Sequence, residues 1–351
     1  MIDLSFFKNK KVFLTGHTGF KGAWLSKILV KGGALVTGYS LEPPTKPNLF
    51  DICDNCENMI SVIGDIRDRD QLLEAFEQAS PEIVIHMAAQ PIVRESYNNP
   101  VYTYETNVMG TVNLLECIRL NGEPVRSVLI VTTDKVYRNN EWHWGYRERD
   151  VLDGYDPYSN SKSCAELVTH SYKRSFFEDT DVAISTARAG NVIGGGDFAV
   201  DRIVPDCVRA AVKGDAIVVR NQNSIRPYQH VLEPLFAYLL IIQKQYENQD
   251  LADSYNVGPD DIDCVTTGQL AMLFCEKWGK KQTWLSQSAK GPHEAGFLKL
   301  DCSKMKATFN WKPKWRVEQA IEKTVEWTKA YYGKDDILTV MDSQIENYLE
   351  D

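Results

Sequence analysis

The sequence predicts a doubly wound α/β fold, a mainly parallel sheet with helices on both faces that carries a smaller C-terminal α/β portion. Short β-branched apolar runs alternate with segments of helical period, the first run ends in a turn with three spaced glycines, and the alternation later gives way to loops and short elements. Lys11 to Leu14 is the first strand, and Ala23 to Lys31, apolar at helical spacing, is the helix after it. Ala34 to Tyr39 is the second strand. Met59 to Gly64, Glu82 to Met87 and Val128 to Thr133 are three more, each short and β-branched. Arg69 to Gln78, Val101 to Leu120 and Tyr158 to Phe177 are the helices. Strands this short and this continuously apolar are buried on both faces, which means parallel pairing with helices above and below. After about Ile184 the pattern loosens: Gly194-Gly195-Gly196 and Ser224 to Pro227 mark loops, Val231 to Tyr246 is one more helix, and a Trp-rich stretch runs from Trp311 to Trp327.

With 351 residues the chain exceeds the roughly 250–300 at which single cores stop growing, so one large domain or two joined lobes are expected. Hydrophobic residues make up 43% and charged residues 25%, a globular rather than a disordered balance. The formal charge of −9 argues against a nucleic-acid partner, because non-specific affinity comes from Lys and Arg neutralising phosphates. An anionic ligand would need cations placed locally. Near the N-terminus the only apolar run is Val12-Phe13-Leu14, too short for a signal peptide, and Leu235 to Ile242 falls well short of the ~20 residues that span a bilayer. Neither export nor a membrane partner is predicted. The eight cysteines are scattered, which fits reduced thiols in a cytoplasm. Cys53 and Cys56 form one CxxC without a second pair at zinc-ribbon spacing, and His17, His86, His143 and His230 show no ligand spacing, so no metal is expected.

The turn after the first strand reads Thr15-Gly16-His17-Thr18-Gly19-Phe20-Lys21-Gly22. Its glycines allow a tight turn, close approach of backbone to a diphosphate and close packing of helix on strand, and the helix start offers free N–H groups to phosphate oxygens. Spaced glycines alone are common turn residues; between a strand and a helix they point to a dinucleotide cofactor. An acid at the end of the second strand would hold the ribose of NAD and an Arg the extra phosphate of NADP, but this chain has Tyr39-Ser40-Leu41, which leaves the choice open. Lys21 could favour a phosphate. Asp65, followed by Ile66, could accept a hydrogen bond from the adenine amine or simply close its strand. The expected organisation is a Rossmann-type lobe of residues 1–185 and 230–258, joined to a substrate lobe of residues 186–229 and 259–351, with a cleft between them.

Tyr158 and Lys162 stand four residues apart at a helix start, on one face, so the ammonium can sit near the phenol oxygen. Bringing a tyrosine from a pKa of about 10 to about 7 takes about 4 kcal/mol. A cation at about 4 Å in an effective dielectric of about 20 supplies that much. Tyr158 is thereby a candidate base near neutral pH. Thr132-Thr133-Asp134-Lys135 closes the fifth strand, where a parallel sheet places its ligands.

With these residues assembled, the chain resembles the extended short-chain dehydrogenase/reductase family over nearly its whole length, and within it the nucleotide-sugar 4,6-dehydratases. The resemblance is carried by Gly16 to Leu25, Ala88-Ala89-Gln90-Pro91, Asn107 in Thr106 to Thr111, Thr133 to Tyr137, Tyr158 with Lys162, Arg188 to Asp197, and Arg226 to Val231. It implies NAD as cofactor, lined by the glycine turn with Tyr39, Ser40, Asp65, Ile66, Ala88, Ala89, Gln90, Asn107 and Thr132, and by Tyr158 and Lys162. It also implies 4,6-dehydration of CDP-glucose. Tyr158 would take the proton of the sugar 4-hydroxyl with Thr133 bonded to the same oxygen, and Asp134 would protonate the departing 6-hydroxyl. Where the dTDP-sugar enzymes have a Glu, this chain has Lys135, as a neutral base or as a cation beside the enolate. Asn191, Arg226, Arg202, Arg220 and Tyr228, the last in place of a Trp, would hold the sugar nucleotide. A homodimer or homotetramer packed through Val101 to Leu120 and Tyr158 to Phe177 is implied as well. The rivals are a dehydratase or 4-epimerase for another nucleotide-sugar, and an NAD-sensing protein without chemistry.

Overall fold

A computed structural model describes residues 2–53, 58–279, 281–287 and 295–351. Its centre is a sheet of seven parallel strands: β1 (Lys11–Thr15), β2 (Leu35–Ser40), β3 (Ile60–Ile63), β4 (Ile83–His86), β5 (Ser127–Thr133), β6 (Ala183–Ala189) and β7 (Ser254–Val257). They lie in the order β7-β6-β5-β4-β1-β2-β3. The chain leaves β1 in one direction through β2 and β3, then returns to β1's other side and runs through β4 to β7. The crevice at that reversal is where an open parallel sheet binds ligands. Register places Thr15, the last residue of β1, beside Tyr39 of β2 and His86 of β4.

Side chains along β1 alternate between two cores: Val12 and Leu14 pack into one cluster, Phe13 into the other. That period of two is why both faces are covered. One face carries α1 (Phe20–Lys31), whose Trp24, Leu25 and Ile28 are fully buried. The other carries α2 (Arg69–Ala79) and α3 (Gly110–Asn121), with Phe76, Leu114 and Leu115 on Phe13 and Val128. Strands β4, β5 and β6 are buried at every residue.

The helix expected over Val101 to Leu120 is interrupted: Pro100–Tyr104 is a short helix, Glu105–Met109 a π-type turn, and α3 then begins at Gly110. The wider turn frees Asn107 for side-chain bonds at the cleft, and π-turns in helices often mark such places. Gly110 follows because a Cβ there would stand 2.7 Å from the Ile66 Cγ2. The helix with the Tyr-Lys pair, α4 (Pro157–Phe176), starts on an Asp156 side chain that accepts from Ser159 N–H, with Pro157 in the first turn.

In the second half, α5 (Ile203–Lys213) is followed by α6 (Leu232–Glu247), which is buried nearly end to end against the sheet. A third core holds Ile217, Tyr228 and Phe274 with residues of α7 (Thr267–Trp278) and α8 (Val317–Gly333). Two-stranded pairings join Val192–Ile193 to Gln229–His230, Ile225–Pro227 to Cys264–Thr266, and Ile217–Val219 to Trp284–Ser286. The Trp-rich stretch is core: Trp311, Trp315 and Trp327 are buried. Gly195 has no room for a side chain, since a Cβ would stand 2.0 Å from the Trp327 Cγ, and its carbonyl takes the Trp24 indole N–H at 3.0 Å. The final helix, α9 (Ile337–Glu350), stacks its Tyr348 on Phe236 of α6.

Candidate active site

The turn after β1 can be built only with glycine at two points. Gly16 has φ +80°, and a Cβ there would lie 2.8 Å from Ala88 N; a Cβ on Gly22 would lie 2.0 Å from Gly16 O. Gly16 N–H donates to Tyr39 O at 2.9 Å. Thr15 Oγ1 accepts from the N–H groups of Met87 and Ala88 at 3.1 Å and pairs with His86 Nδ1 at 2.7 Å, which ties the ends of β1 and β4 together. The N-cap of α1 is Gly19, which makes no side-chain cap hydrogen bond. Bare backbone at a helix start, at the sheet's reversal point, fits a dinucleotide diphosphate.

The residues around this turn divide. Thr18 Oγ1 donates to Leu41 O at 2.8 Å and meets Ser40 Oγ at 2.9 Å, holding the end of β2 against the turn. His17 is buried, bonded to Ser61 Oγ at 2.7 Å, and burial pushes its pKa down to about 4, so it is a neutral brace. The Tyr39 ring lies wholly in the core and its hydroxyl reaches Asp65 O at 3.0 Å, so this side chain does not face a cofactor as expected. The Asp65 carboxylate is paired with Arg67 at 2.6 Å, and Ile66 is buried against Gly110. Beyond β4, Ala88 and Ala89 lead to Gln90, whose N–H donates to Asn107 Oδ1 at 2.8 Å. Asn107 Nδ2 in turn donates to Gln90 O and Ser161 Oγ, joining the strand end to α4. Lys21 departs from expectation. Its ammonium lies over the Tyr238 ring, 5.7 Å from the centroid, among Lys162, Arg202 and Asp134, and burial with the two cations pushes its pKa down to about 7. It lies near the candidate catalytic groups.

The structure brings the five candidate catalytic residues together at the end of β5. Thr133 caps the short turn Asp134–Val136 and donates from Oγ1 to Asp134 Oδ1 at 2.9 Å, and its hydroxyl lies close enough to the Tyr158 phenol to favour the ionised form. Lys135 Nζ stands 3.6 Å from Asp134 Oδ1. Lys162 donates from Nζ to Val131 O at 3.2 Å. The expectation that Lys162 brings the phenol near neutrality is not met by the protein alone. Burial pushes Tyr158 up to about 12 against the nearby Thr133 hydroxyl and the Arg202 charge, and burial pushes Lys162 down to about 8. Desolvation is the largest cause of both shifts.

Two features escaped the sequence reading. Glu166, one turn beyond Lys162, forms a fully buried ion pair with Arg188 of β6 at 2.8 Å. Burial opposes its ionisation, but the Arg188 charge and bonds from Arg188, Thr132 and Thr186 hold its pKa below the ordinary carboxylate value. Arg188 Nη1 also donates to Tyr137 Oη at 2.8 Å and Glu148 O at 2.9 Å. The spacing of four from Lys162 was the available signal. Tyr238 on α6 has a buried hydroxyl with no hydrogen-bond partner among the described residues, and it faces Tyr158 and Asp134. Inside so apolar a helix nothing singled it out.

The expected substrate residues are less uniform. Arg202 pairs with Asp197 at 3.1 Å, and its charge reaches both Tyr158 and Lys21. Arg220 pairs with Asp201 at 3.0 Å, an acid that Arg94 shares at 3.4 Å. Arg226 is buried and donates to the carbonyls of Ile225 and Ala295. Tyr228 is a core residue, with its hydroxyl 3.4 Å from Thr267 Oγ1. Asn191 holds Gln229 N–H through its carbonyl. Among the described residues no group of three or more His, Cys, Asp or Glu side chains could hold a metal ion. Cys53 is buried with its thiol on Met341, while Cys56 lies outside the described residues. No described helix is long and apolar enough to cross a membrane. A groove of about 790 Å³ opens at the other end of β6 and β7, lined by Lys173, Ala183 and Ser254, with none of the candidate residues in it.

A glycine turn at the reversal point of a parallel sheet, facing a buried Tyr-Lys pair and a threonine at the end of β5, defines an extended short-chain dehydrogenase/reductase. Residues 13–324 match the family described as GDP-mannose 4,6 dehydratase, and the chain belongs to that family. It is 46% identical to the CDP-glucose 4,6-dehydratase of Salmonella typhimurium, over 99% of both chains. It is 26% identical to dTDP-glucose 4,6-dehydratase 1 of Escherichia coli, over 90% of this chain and 92% of that one. Among solved structures it shares the fold of the UDP-glucose 4-epimerase of Thermotoga maritima, with UDP-glucose, at TM-score 0.79 and 22% identity over 92% of this chain and 99% of that one. The dTDP-glucose 4,6-dehydratase of Bacillus anthracis, in complex with NAD, matches at TM-score 0.76 and 20% identity over 94% of this chain and 99% of that one.

The buried pair yields a stability prediction. Arg188→Met leaves Glu166 as an uncompensated buried charge and should cost about 3–5 kcal/mol in denaturant unfolding. Glu166→Met combined with Arg188→Met should recover most of that loss. If the double variant is as unstable as the sum of the single ones, the pair is not the unit described.

Proposed function

We propose that this chain converts CDP-glucose to CDP-4-keto-6-deoxyglucose with a tightly held NAD, the cofactor lying on the Gly16–Gly22 turn. The observation that carries this reading is Asp134, a buried acid beside the Tyr158-Thr133 pair, which a 4-epimerase would not need because it expels no group at C6. Full-length similarity at 46% to a CDP-glucose 4,6-dehydratase supports the nucleotide. Held by the Gly16–Gly22 turn, NAD would supply a reversible hydride acceptor for the sugar and, when oxidised, positive charge on the Tyr158 side of the crevice.

Tyr158 removes the proton of the 4-hydroxyl, with Thr133 bonded to the same oxygen. The ketone this leaves at C4 acidifies the C5 proton. Lys135 takes that proton, and Asp134 gives its own to the departing 6-hydroxyl, so water is lost across C5 and C6. Lys162 and Lys21 supply positive charge around the phenol. Asn191 and Arg202 lie on the segments 186–229 and 259–351 that we assign to the sugar nucleotide, opposite a cofactor lobe of 1–185 and 230–258; Arg220, Arg226 and Tyr228 shape that side. Exposed Met109, Leu120, Leu167 and Phe176 on α3, α4 and the turn before α3 support a homodimer or homotetramer formed through these helices. A cytoplasmic setting suits the free thiols. The raised Tyr158 would also suit an NAD-binding protein without chemistry, but the gathering of Tyr158, Thr133 and the buried Asp134, with Thr133 bonded to Asp134, argues for a working site.

Incubating the protein with NAD and CDP-, dTDP-, UDP- or GDP-glucose, then following 4-ketosugar absorbance in alkali, tests the assignment. CDP-glucose should turn over fastest; a faster partner or a 4-epimer product would overturn it. The part played by Lys135 is separable. Lys135→Ala should block exchange of the C5 proton with solvent, and Lys135→Glu should partly restore it. If Lys135→Glu is worse than Lys135→Ala, the lysine is a cation beside the enolate instead.

A further inference from the structure

Two arginines from opposite sides of the crevice meet on one carboxylate oxygen. Arg220 Nη1 donates to Asp201 Oδ1 at 3.0 Å, and Arg94 Nη1 stands 3.4 Å from the same atom. Arg94 belongs to the short helix Val93–Asn98, which follows β4 on the side assigned to the cofactor. Asp201 and Arg220 belong to the segment 186–229 assigned to the sugar nucleotide, so this contact joins the two sides. Arg202, the residue after Asp201, pairs with Asp197 at 3.1 Å, and its charge reaches Tyr158. Arg209 and Arg220 share Asp206. These four guanidinium groups and three carboxylates leave a local positive excess in a chain of formal charge −9.

The pairing on Asp201 uses little of what the arginines offer. A guanidinium is a planar fork that suits two oxygens at once, yet two forks here share a single atom. The side chains of Arg94, Asp201 and Arg220 are 35%, 38% and 36% exposed, and ion pairs so open to water contribute little, so they exchange readily for a better partner. Among the described residues the Arg94 side chain makes no other ion pair. Asp201 has φ +60°, a left-handed conformation that aspartate and asparagine adopt more readily than most side chains.

A nucleotide sugar supplies what the forks lack. Its diphosphate, on C1, carries unbridged oxygens on two adjacent phosphorus atoms, enough for a fork on each, and its 4-hydroxyl lies across the ring from C1. Cations for the diphosphate must therefore stand near Tyr158 without touching it, as Arg202 does. We propose that Asp201 stands in for this diphosphate and that Arg94 is a substrate-binding residue. The diphosphate takes Arg94 and Arg220 from Asp201, and so draws the two sides of the crevice together over the sugar. Acid and substrate compete for the same two forks. Removing the acid frees them and removing Arg94 loses one of them, so the two substitutions act on binding in opposite directions. A strut that only held the two sides together would be broken by either.

The inference rests on the nucleotide-sugar reading above, and its test separates the two. The NAD complex of each variant is titrated with CDP by calorimetry, and KM for CDP-glucose is read from 4-ketosugar formation. Arg94→Gln should weaken CDP binding about tenfold, the loss of a charge-assisted contact. Asp201→Asn, which keeps a side chain suited to the left-handed backbone, should tighten it about threefold. KM for CDP-glucose should rise in the first variant and fall in the second. Weaker or unchanged CDP binding in Asp201→Asn would make the acid a strut and overturn the proposal. So would an unchanged CDP affinity in Arg94→Gln, or a fall there matched by an equal loss of NAD affinity. If the opposite shifts in CDP binding are found but the wild type forms no ketosugar, the proposal stands and the dehydratase reading fails.

Discussion

A carboxylate and a guanidinium sealed from water at the centre of the sheet hold the catalytic groups in place. Glu166 on α4 and Arg188 on β6 are both without solvent exposure, and each would be costly to bury alone. Their bonds account for more than the pair. Thr132 donates to Glu166 from the end of β5, Thr186 from β6, and Arg188 reaches across to Tyr137. Tyr137 donates to Asn256, whose amide holds the carbonyls of Tyr146 and Asp301. One buried network therefore ties β5, β6, β7, α4 and the loops that close over them. Thr133 is the neighbour of Thr132, and Lys162 and Tyr158 lie one and two turns before Glu166, so the reacting groups inherit the rigidity of the pair.

The cofactor side of the crevice is held differently, by absence of side chains. Gly16 and Gly22 let backbone pass where a Cβ would collide, and Thr15, His86 and Thr111 bond in sequence behind them. His86 sits fully buried between Lys162 and the turn, and burial pushes its pKa down to about 3. A neutral imidazole there adds no charge to the crevice. Two of the positive groups near the candidate site, Lys21 and Lys162, have pKa values lowered by burial.

The parts of this arrangement legible in the sequence are those encoded locally. Strand-turn-helix with three glycines, Tyr158 four residues before Lys162, and Thr133-Asp134 at a strand end each occupy a few consecutive residues, and each was found where expected. The parts that were not legible depend on contacts between distant segments. Glu166 meets Arg188 only because β6 lies beside β5. The Tyr39 ring turns into the core, since its strand is covered on that face by Phe13 and α2, and it could not be told from a ribose-facing residue by position alone. Arg226 carried the right motif, yet its fork is taken up by two backbone carbonyls. The interrupted helix at Glu105–Met109 escaped because a π-turn keeps helical composition while shifting the face that each residue presents.

The chemistry then comes down to one phenol. Tyr158 is buried beside Thr133 and Asp134, within reach of the Arg202 charge, and the proposed function makes it the group that takes the proton of the 4-hydroxyl. Tyr158→Phe removes only that oxygen and leaves the ring in place. The direct measurement is NAD binding by this variant, followed by mixing the complex with CDP-glucose while the reduced-nicotinamide absorbance is recorded. The account predicts unchanged NAD binding and no reduced band; a band that forms at the wild-type rate would contradict it.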